Sequence, residues 1–147
     1  MTSRQKQIVR DTFDSVRAAA IPVALLFYGR LFQRDPAIRP MFHVDIRLQS
    51  GKLIAMLDSI IDSLDDFDAM RPRLRDLGRR HVGYGVTEGQ YETLASALLW
   101  ALGQALEHQF DAETKQAWAT LLADISAEMM KGAADPSDAT RRAAATD

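Results

Sequence analysis

The apolar residues of this chain recur with a helical period along almost its whole length, and no segment alternates as a β-strand does. The first clear stripe runs from Ile8 to Val16, directly after Thr2 and Ser3, two residues of the kind that caps helices. With 147 residues the chain has room for one ordinary core. The pattern therefore predicts an all-α domain of six or seven helices with short connections.

Proline, glycine and capping residues divide this pattern into helices. Proline suits a first helical turn, glycine ends helices, and a Thr or Asp before an apolar stripe caps a start. We assign residues 1–132 to the domain and expect 133–147, which lack large apolar side chains, to form a flexible tail. After the first helix we predict five more. They run from about Pro22 to Arg34, from the end of a polar stretch at 44–49 to Leu64, from Pro72 to Val82, from Thr87 to Glu107, and from Asp111 to Lys131.

Composition excludes several classes of site. The absence of cysteine removes disulfides, thiolate metal sites and cysteine nucleophiles. A net charge of −2 offers no electrostatic footprint for nucleic acid. The longest apolar run, Ala18 to Tyr28, contains Pro22 and is about half as long as a membrane crossing requires. We therefore expect no membrane span, and the cytoplasm is the default location.

His81 is the most informative polar residue of the pattern. At about 100° per residue, Leu74, Leu77 and His81 share the face of their helix that must pack inward. The rest of that helix surface is mainly charged, so His81 is the only ionisable side chain on the inner face. Two interpretations stay open: a core histidine bonded to a backbone carbonyl, or a ligand to a metal or haem iron.

Two further polar residues, Gln49 and Tyr28, lie on apolar faces of other helices. Taken singly, a half-exposed amide near a helix end and a buried core tyrosine are ordinary features. Together with His81 they form the set that a haem pocket needs, an imidazole on one side and hydrogen-bond donors on the other. His43 and His108 fall in polar settings, so a cluster of several histidines around a metal is poorly supported.

Four segments carry a recognisable pattern in their order along the chain: Leu25–Phe32, Pro36–Phe42, Gln49–Leu53 and Leu77–Val86. With them the chain resembles the globin family over residues 3–131. The segments are similar to bacterial single-domain globins and to the globin domain of flavohaemoglobins, and the last is also similar to neuroglobin. The resemblance implies the globin fold, in which helices sandwich haem b between a distal and a proximal side.

The resemblance also implies roles for individual residues. His81 corresponds to the proximal iron ligand, and Phe42 to the aromatic residue that stacks on the haem. Tyr28 and Gln49 correspond to the distal pair that stabilises O2. The remaining cofactor-binding residues are Leu53 above the iron, Leu77, Val86 and Leu94 along the haem face, and Lys52 as a propionate partner, for which a solvated lysine is an equal explanation.

One position departs from the flavohaemoglobin pattern. In those proteins a tyrosine ten residues beyond the proximal histidine joins a glutamate of the last helix around the imidazole. Tyr91 matches the tyrosine, but Ala133 stands where the glutamate is expected, and Glu128 lies on another face. A carboxylate in that network would raise the basicity of the imidazole. Its absence here argues against strong peroxidase-like chemistry.

Three functions remain open at this point. The first is reversible binding of O2 by ferrous haem for storage, delivery or sensing, with CO and NO as further ligands. The second is NO dioxygenation by a bacterial-type globin that depends on a separate reductase, because the chain has no room for flavin and nicotinamide domains. The third is a haem-free helical interaction module. We expect a monomer or a weak homodimer in each case.

Overall fold

The computed structural model describes residues 1–42 and 45–134, and within these ranges it contains six α-helices and no β-strand. The all-α prediction is confirmed. His43 and most of the predicted tail lie outside the described residues. The helices are α1 Ser3–Val16, α2 Ala20–Arg34, α3 Ile46–Asp62, α4 Phe67–Gly83, α5 Glu88–Leu106 and α6 Ala112–Ala133, with short 3-10 turns at Arg17–Ala19, Pro36–Met41, Leu64–Asp66 and Glu107–Gln109.

Local capping chemistry sets several helix starts. The Thr2 hydroxyl accepts a hydrogen bond from the Gln5 N–H at 3.0 Å, and the Gln5 side chain accepts one from the Thr2 N–H at 2.9 Å. Thr87, the predicted start of the fifth helix, caps α5, and its N–H donates to the Gln90 side chain at 2.9 Å. Such reciprocal pairs satisfy N–H groups that the first helical turn leaves without partners.

Two predicted helix starts are wrong. α3 begins at Ile46 because the Asp45 carboxylate accepts a hydrogen bond from the Arg47 N–H at 2.7 Å, so Gln49 lies within the first turn. α4 begins at Phe67, and Pro72 lies inside it. The acidic residues at 65–68 favour a helix N-terminus here because they complement the helix dipole.

The main core lies between α1, α2, α5 and α6. Trp118, Phe13 and Leu31 are fully buried there. The indole N–H of Trp118 donates to the Thr12 hydroxyl at 2.8 Å, so the polar atom of the largest core side chain is satisfied. α3 and α4 pack against the helices that form this core.

α3 and α4 dock on different helices, since α3 packs mainly on α2 and α4 mainly on α6. The α4–α6 crossing brings the two backbones into contact at Gly78 and Gly132. A Cβ at Gly78 would overlap the carbonyl oxygen of Met129, and one at Gly132 would overlap the carbonyl oxygen of Arg75. Only glycine permits this approach.

The segment Ser3–Arg34 contains an 18-residue window that is apolar enough, by composition, to cross a membrane. Its apolar side chains include Val9, Phe13, Phe27 and Leu31, all of which are buried in the core. Core packing accounts for these four side chains, and 39% of the apolar window is buried.

Candidate functional site

One half of the candidate site is an aromatic cluster around Tyr28 of α2. Tyr28 is 4% exposed, and the ring of Phe42 meets it edge-on at a centroid distance of 5.4 Å. Phe32 completes the cluster at 6.0 Å from Tyr28 and 5.4 Å from Phe42. Phe42 follows the Pro36–Met41 turn directly, so this turn places the predicted stacking residue beside the predicted distal tyrosine.

The Tyr28 side chain lies beside that of Gln49 in the first turn of α3. Burial raises the pKa of Tyr28 to about 12, and the neighbouring Gln49 side chain offsets only part of this rise. Tyr28 is thus a neutral hydrogen-bond donor at physiological pH, and the structure brings the two predicted distal residues together.

The other half of the site is built around His81 of α4. Its Nδ1 lies 2.8 Å from the carbonyl oxygen of Leu77, one helical turn earlier. Because a carbonyl only accepts, Nδ1 carries the proton and Nε2 keeps its lone pair. The two explanations left open by the sequence are therefore compatible, since one ring nitrogen bonds a carbonyl while the other can bind a metal.

The electrostatic surroundings keep His81 neutral. Burial lowers the pKa of the imidazole, the bond to the Leu77 carbonyl raises it in part, and the charge of Arg80 lowers it further. Neutral imidazole is the form that ligates metals. The site therefore presents a ring nitrogen whose lone pair could bind a metal at neutral pH.

A tight turn after His81 connects the two halves. The His81 carbonyl accepts hydrogen bonds from the N–H groups of Tyr84 and Val86 at 3.1 and 3.0 Å, and Gly85 has a φ of 92°, which favours glycine. A Cβ at Gly85 would lie 3.9 Å from the Cε of Met41, the residue before Phe42. The turn that carries Phe42 therefore lies against the turn that follows His81.

The apolar side chains predicted to line a cofactor share one property. Each is only partly buried and packs at the edge of the core, although side chains of this kind normally lie fully inside. A large apolar cofactor would cover such a surface, so these residues fit a haem. They are Phe42, Leu53, Leu77, Val86 and Leu94. Lys52, the predicted propionate partner, is exposed.

The side chains that could bind a metal also fit a haem, in which the porphyrin supplies most of the iron ligands. Within residues 1–42 and 45–134 no group of three or more His, Cys, Asp or Glu side chains could hold a bare metal ion. His108 is exposed in the turn after α5. A single inward imidazole, by contrast, suffices for an iron whose other equatorial ligands come from a porphyrin.

The structure separates Glu128 from His81. Tyr91 is buried, and its hydroxyl makes no hydrogen bond within the described part of the chain. Glu128 is 2% exposed and is bound by Arg71, Arg75 and Lys131 instead. Sequence reasoning missed this ionic cluster, although Glu128 occupies a position on the apolar stripe of α6 that marks it as inward.

The chain is similar to known proteins of one family. A family model described as Globin matches residues 25–129. The neuroglobin of Tetraodon nigroviridis is 26% identical over 146 residues, with 90% of this chain and 92% of the relative covered. Neuroglobin-2 of Oncorhynchus mykiss and the neuroglobin of Chaenocephalus aceratus are 24% and 25% identical with the same coverage.

Proposed function

The chain belongs to the globin family, and we propose that it binds O2 reversibly at a haem b ligated by His81. Haem-based binding of a diatomic gas is the general property of this family, and ferrous haem, when bound, supplies the coordination site for O2, CO or NO. The observation that carries the proposal is the neutral His81 imidazole, whose Nδ1 is held by the Leu77 carbonyl at 2.8 Å.

The hydrogen bond to the Leu77 carbonyl would prepare the His81 imidazole to bind iron. A second partner on Nδ1 fixes the tautomer, orients the ring and raises the basicity of Nε2. The half-buried apolar residues Phe42, Leu53, Leu77, Val86 and Leu94 would cover the faces of the haem. Lys52, exposed on α3, would meet a propionate at the edge.

Tyr28 and Gln49 are proposed to stabilise O2 on the distal side. Tyr28 is buried and protonated, and Gln49 lies beside it, so the pair places two hydrogen-bond donors together. O2 acquires more negative charge than CO when it binds ferrous haem, so hydrogen-bond donors favour O2. We infer a site that retains O2 in preference to CO.

The same distal pair supports a second function, NO dioxygenation with a separate reductase. Tyr28 and Gln49 would serve it unchanged, because it also starts from stabilised O2. Continuous turnover of NO under a reductant would demonstrate the activity, whereas a single oxidation by one equivalent of NO would indicate O2 binding alone. The unpartnered Tyr91 hydroxyl, with Glu128 bound elsewhere, argues against a strongly activated proximal histidine.

Spectroscopy of a His81→Ala variant tests the proposed function. The unmodified protein should develop a Soret band with haem and give ferrous, ferric and CO spectra of a histidine-ligated haem. His81→Ala should lose the haem or hold it only with added imidazole, while His108→Ala and His43→Ala should leave the spectra nearly unchanged. Normal ferrous and CO spectra of His81→Ala without imidazole would refute the assignment, and no Soret band at all would favour a haem-free module.

The coordination number of the deoxy ferrous protein tests the distal side separately. α3 contains no histidine, and the amide of Gln49 is a poor ligand for ferrous iron. We therefore expect a five-coordinate deoxy spectrum. A low-spin six-coordinate spectrum would contradict this expectation and point to His43 as a second ligand.

A further inference from the structure

We propose that Glu128 is a positioning residue for His81, because its buried carboxylate fixes where α4 lies along α6. The inference rests on the proposed role of His81 as the haem ligand. Glu128 is not itself a ligand, since its oxygens bond arginine and lysine side chains. Its effect would reach the haem only through the position of α4.

The packing of α4 makes its position depend on α6. In the described part of the chain, the extensive contacts of α4 are with α6 and with the Leu64–Asp66 turn that directly precedes it. No other helix packs extensively on α4, as expected where a cofactor occupies the opposite side. Whatever holds α4 to α6 therefore also holds His81.

The glycine crossing sets the separation of the two helices. At Gly78 and Gly132 the backbones touch, so neither helix can come closer. Neither contact has room for a Cβ, and a displacement along the helix axes would bring neighbouring residues that carry one against the backbone of the other helix. The crossing therefore opposes sliding of α4 by steric contact, although it supplies no directional bond.

Glu128 adds a polar restraint, with defined bond directions, to this steric one. Its carboxylate accepts from the Arg75 Nε at 2.9 Å and from Arg71 through its other oxygen, while Lys131 of the same helix adds a bond at 3.1 Å. Arg71 and Arg75 are one turn apart on α4, so a single carboxylate holds two successive turns. Charge-assisted bonds are directional, and a buried carboxylate that loses its partners is costly, so sliding of α4 is opposed.

The restraint lies close to the ligand on the same helix. Arg75 is six residues before His81, which is about 9 Å along an α-helix. Its own carbonyl also faces Gly132, so one residue takes part in both the crossing and the ionic cluster. A displacement at Arg75 is therefore carried along a continuous helix to the imidazole.

The experiment compares Glu128→Gln with Thr12→Val in the haem-loaded protein. Gln keeps the size of the side chain and removes the charge. Thr12→Val deletes a buried hydrogen bond to Trp118 in the α1–α6 contact and leaves α4 untouched. Two readouts are used: the rate of haem transfer to an excess of scavenger protein, and the iron–histidine stretching band in resonance Raman spectra.

Glu128→Gln should release haem about tenfold faster, the ratio that corresponds to about 1.4 kcal/mol, and its iron–histidine band should shift or broaden. Thr12→Val should lower the unfolding midpoint but keep haem release within about twofold and the band unchanged. Arg75→Gln should reproduce the effect of Glu128→Gln, and the double variant should be less than additive because both remove one interaction.

Equal haem release and identical Raman bands in Glu128→Gln and Thr12→Val would overturn the proposal, because the cluster would then contribute to stability alone. If Glu128→Gln fails to fold, Arg75→Gln decides the matter by the same two readouts, since Arg75 is partly exposed. A failure of the proposed function is recognised by a different result. A normal haem spectrum of His81→Ala would show that His81 is not the iron ligand, and the present inference would fall with that assignment.

Discussion

The two helices that carry the candidate site are held in different ways. α4, with His81, touches α6 backbone to backbone at two glycines and is tied to it by the buried carboxylate of Glu128. α3, with Gln49, packs on α2 through ordinary apolar side chains, and its first turn places Gln49 beside Tyr28. The comparison suggests that the proximal residue is rigidly placed, whereas the distal residues can change with little cost to the fold.

The largest expected effect follows from the glycine crossing. Gly78→Ala places a methyl group into the Met129 carbonyl, and backbone cannot rotate away as a side chain can. We expect the free energy of unfolding to fall by about 3 kcal/mol or more. Urea denaturation of the haem-free and haem-loaded protein measures this loss. A loss below about 1 kcal/mol would mean that α4 and α6 are less tightly joined than the contact implies.

On the distal side, Tyr28→Phe should change ligand binding more than stability. It removes the hydroxyl and keeps the ring that packs on Phe42. Loss of one donor should speed O2 release by roughly threefold to a hundredfold. Gln49→Leu should have a smaller effect, and the double variant should be less than additive if both donors contact the same oxygen of O2. Stopped-flow release within twofold of the parent for both single variants would refute the distal assignment.

Acid should weaken the proximal attachment selectively. Burial alone would raise the pKa of Glu128, but hydrogen bonds from Lys131, Arg75 and Arg71 outweigh it and hold the pKa below the ordinary 4.5. A carboxyl whose pKa is depressed by folding stabilises the protein above its unfolded pKa, and this contribution is lost as pH falls through the folded pKa.

The parent should therefore lose about 1–2 kcal/mol more than Glu128→Gln between pH 5 and the acid limit, a figure reduced by the partial exposure of the arginines. Denaturant titrations of both proteins at stepwise lower pH measure the difference. Parallel acid profiles would show that Glu128 contributes no acid-sensitive stability.

The smallest expected effect is a gain on the distal helix. Gly51 lies inside α3, and nothing lies within 4 Å of a Cβ added there. Alanine loses less conformational freedom than glycine in a helix, so Gly51→Ala should raise stability by about 0.5–1 kcal/mol. Gly29→Ala in α2 is a matched control with equally open space. If Gly51→Ala lowers stability and Gly29→Ala does not, the surroundings of Gly51 in α3 are more tightly packed than the open space around it implies.

Local features of this fold were predictable because their causes are local. The box of Thr2 and Gln5 depends on residues three apart, and the bond from His81 to Leu77 joins residues one turn apart on one face. The start of α4 could not be predicted in this way, because acidic residues near position 66 are compatible both with a break between helices and with the start of a new helix. The resemblance supplied residue roles that periodicity alone left open.

Three features could be predicted from the sequence alone: an all-α domain, an inward imidazole in one helix and inward polar residues in two others. They could be predicted because side-chain periodicity and capping depend only on residues that are near one another in the chain. Tertiary structure decided that Tyr28 meets Gln49, that Gly78 meets the backbone of Met129 and that Glu128 holds Arg71 and Arg75. The partners in the last of these are more than 50 residues apart. Such pairings depend on how whole helices cross, which no local pattern specifies.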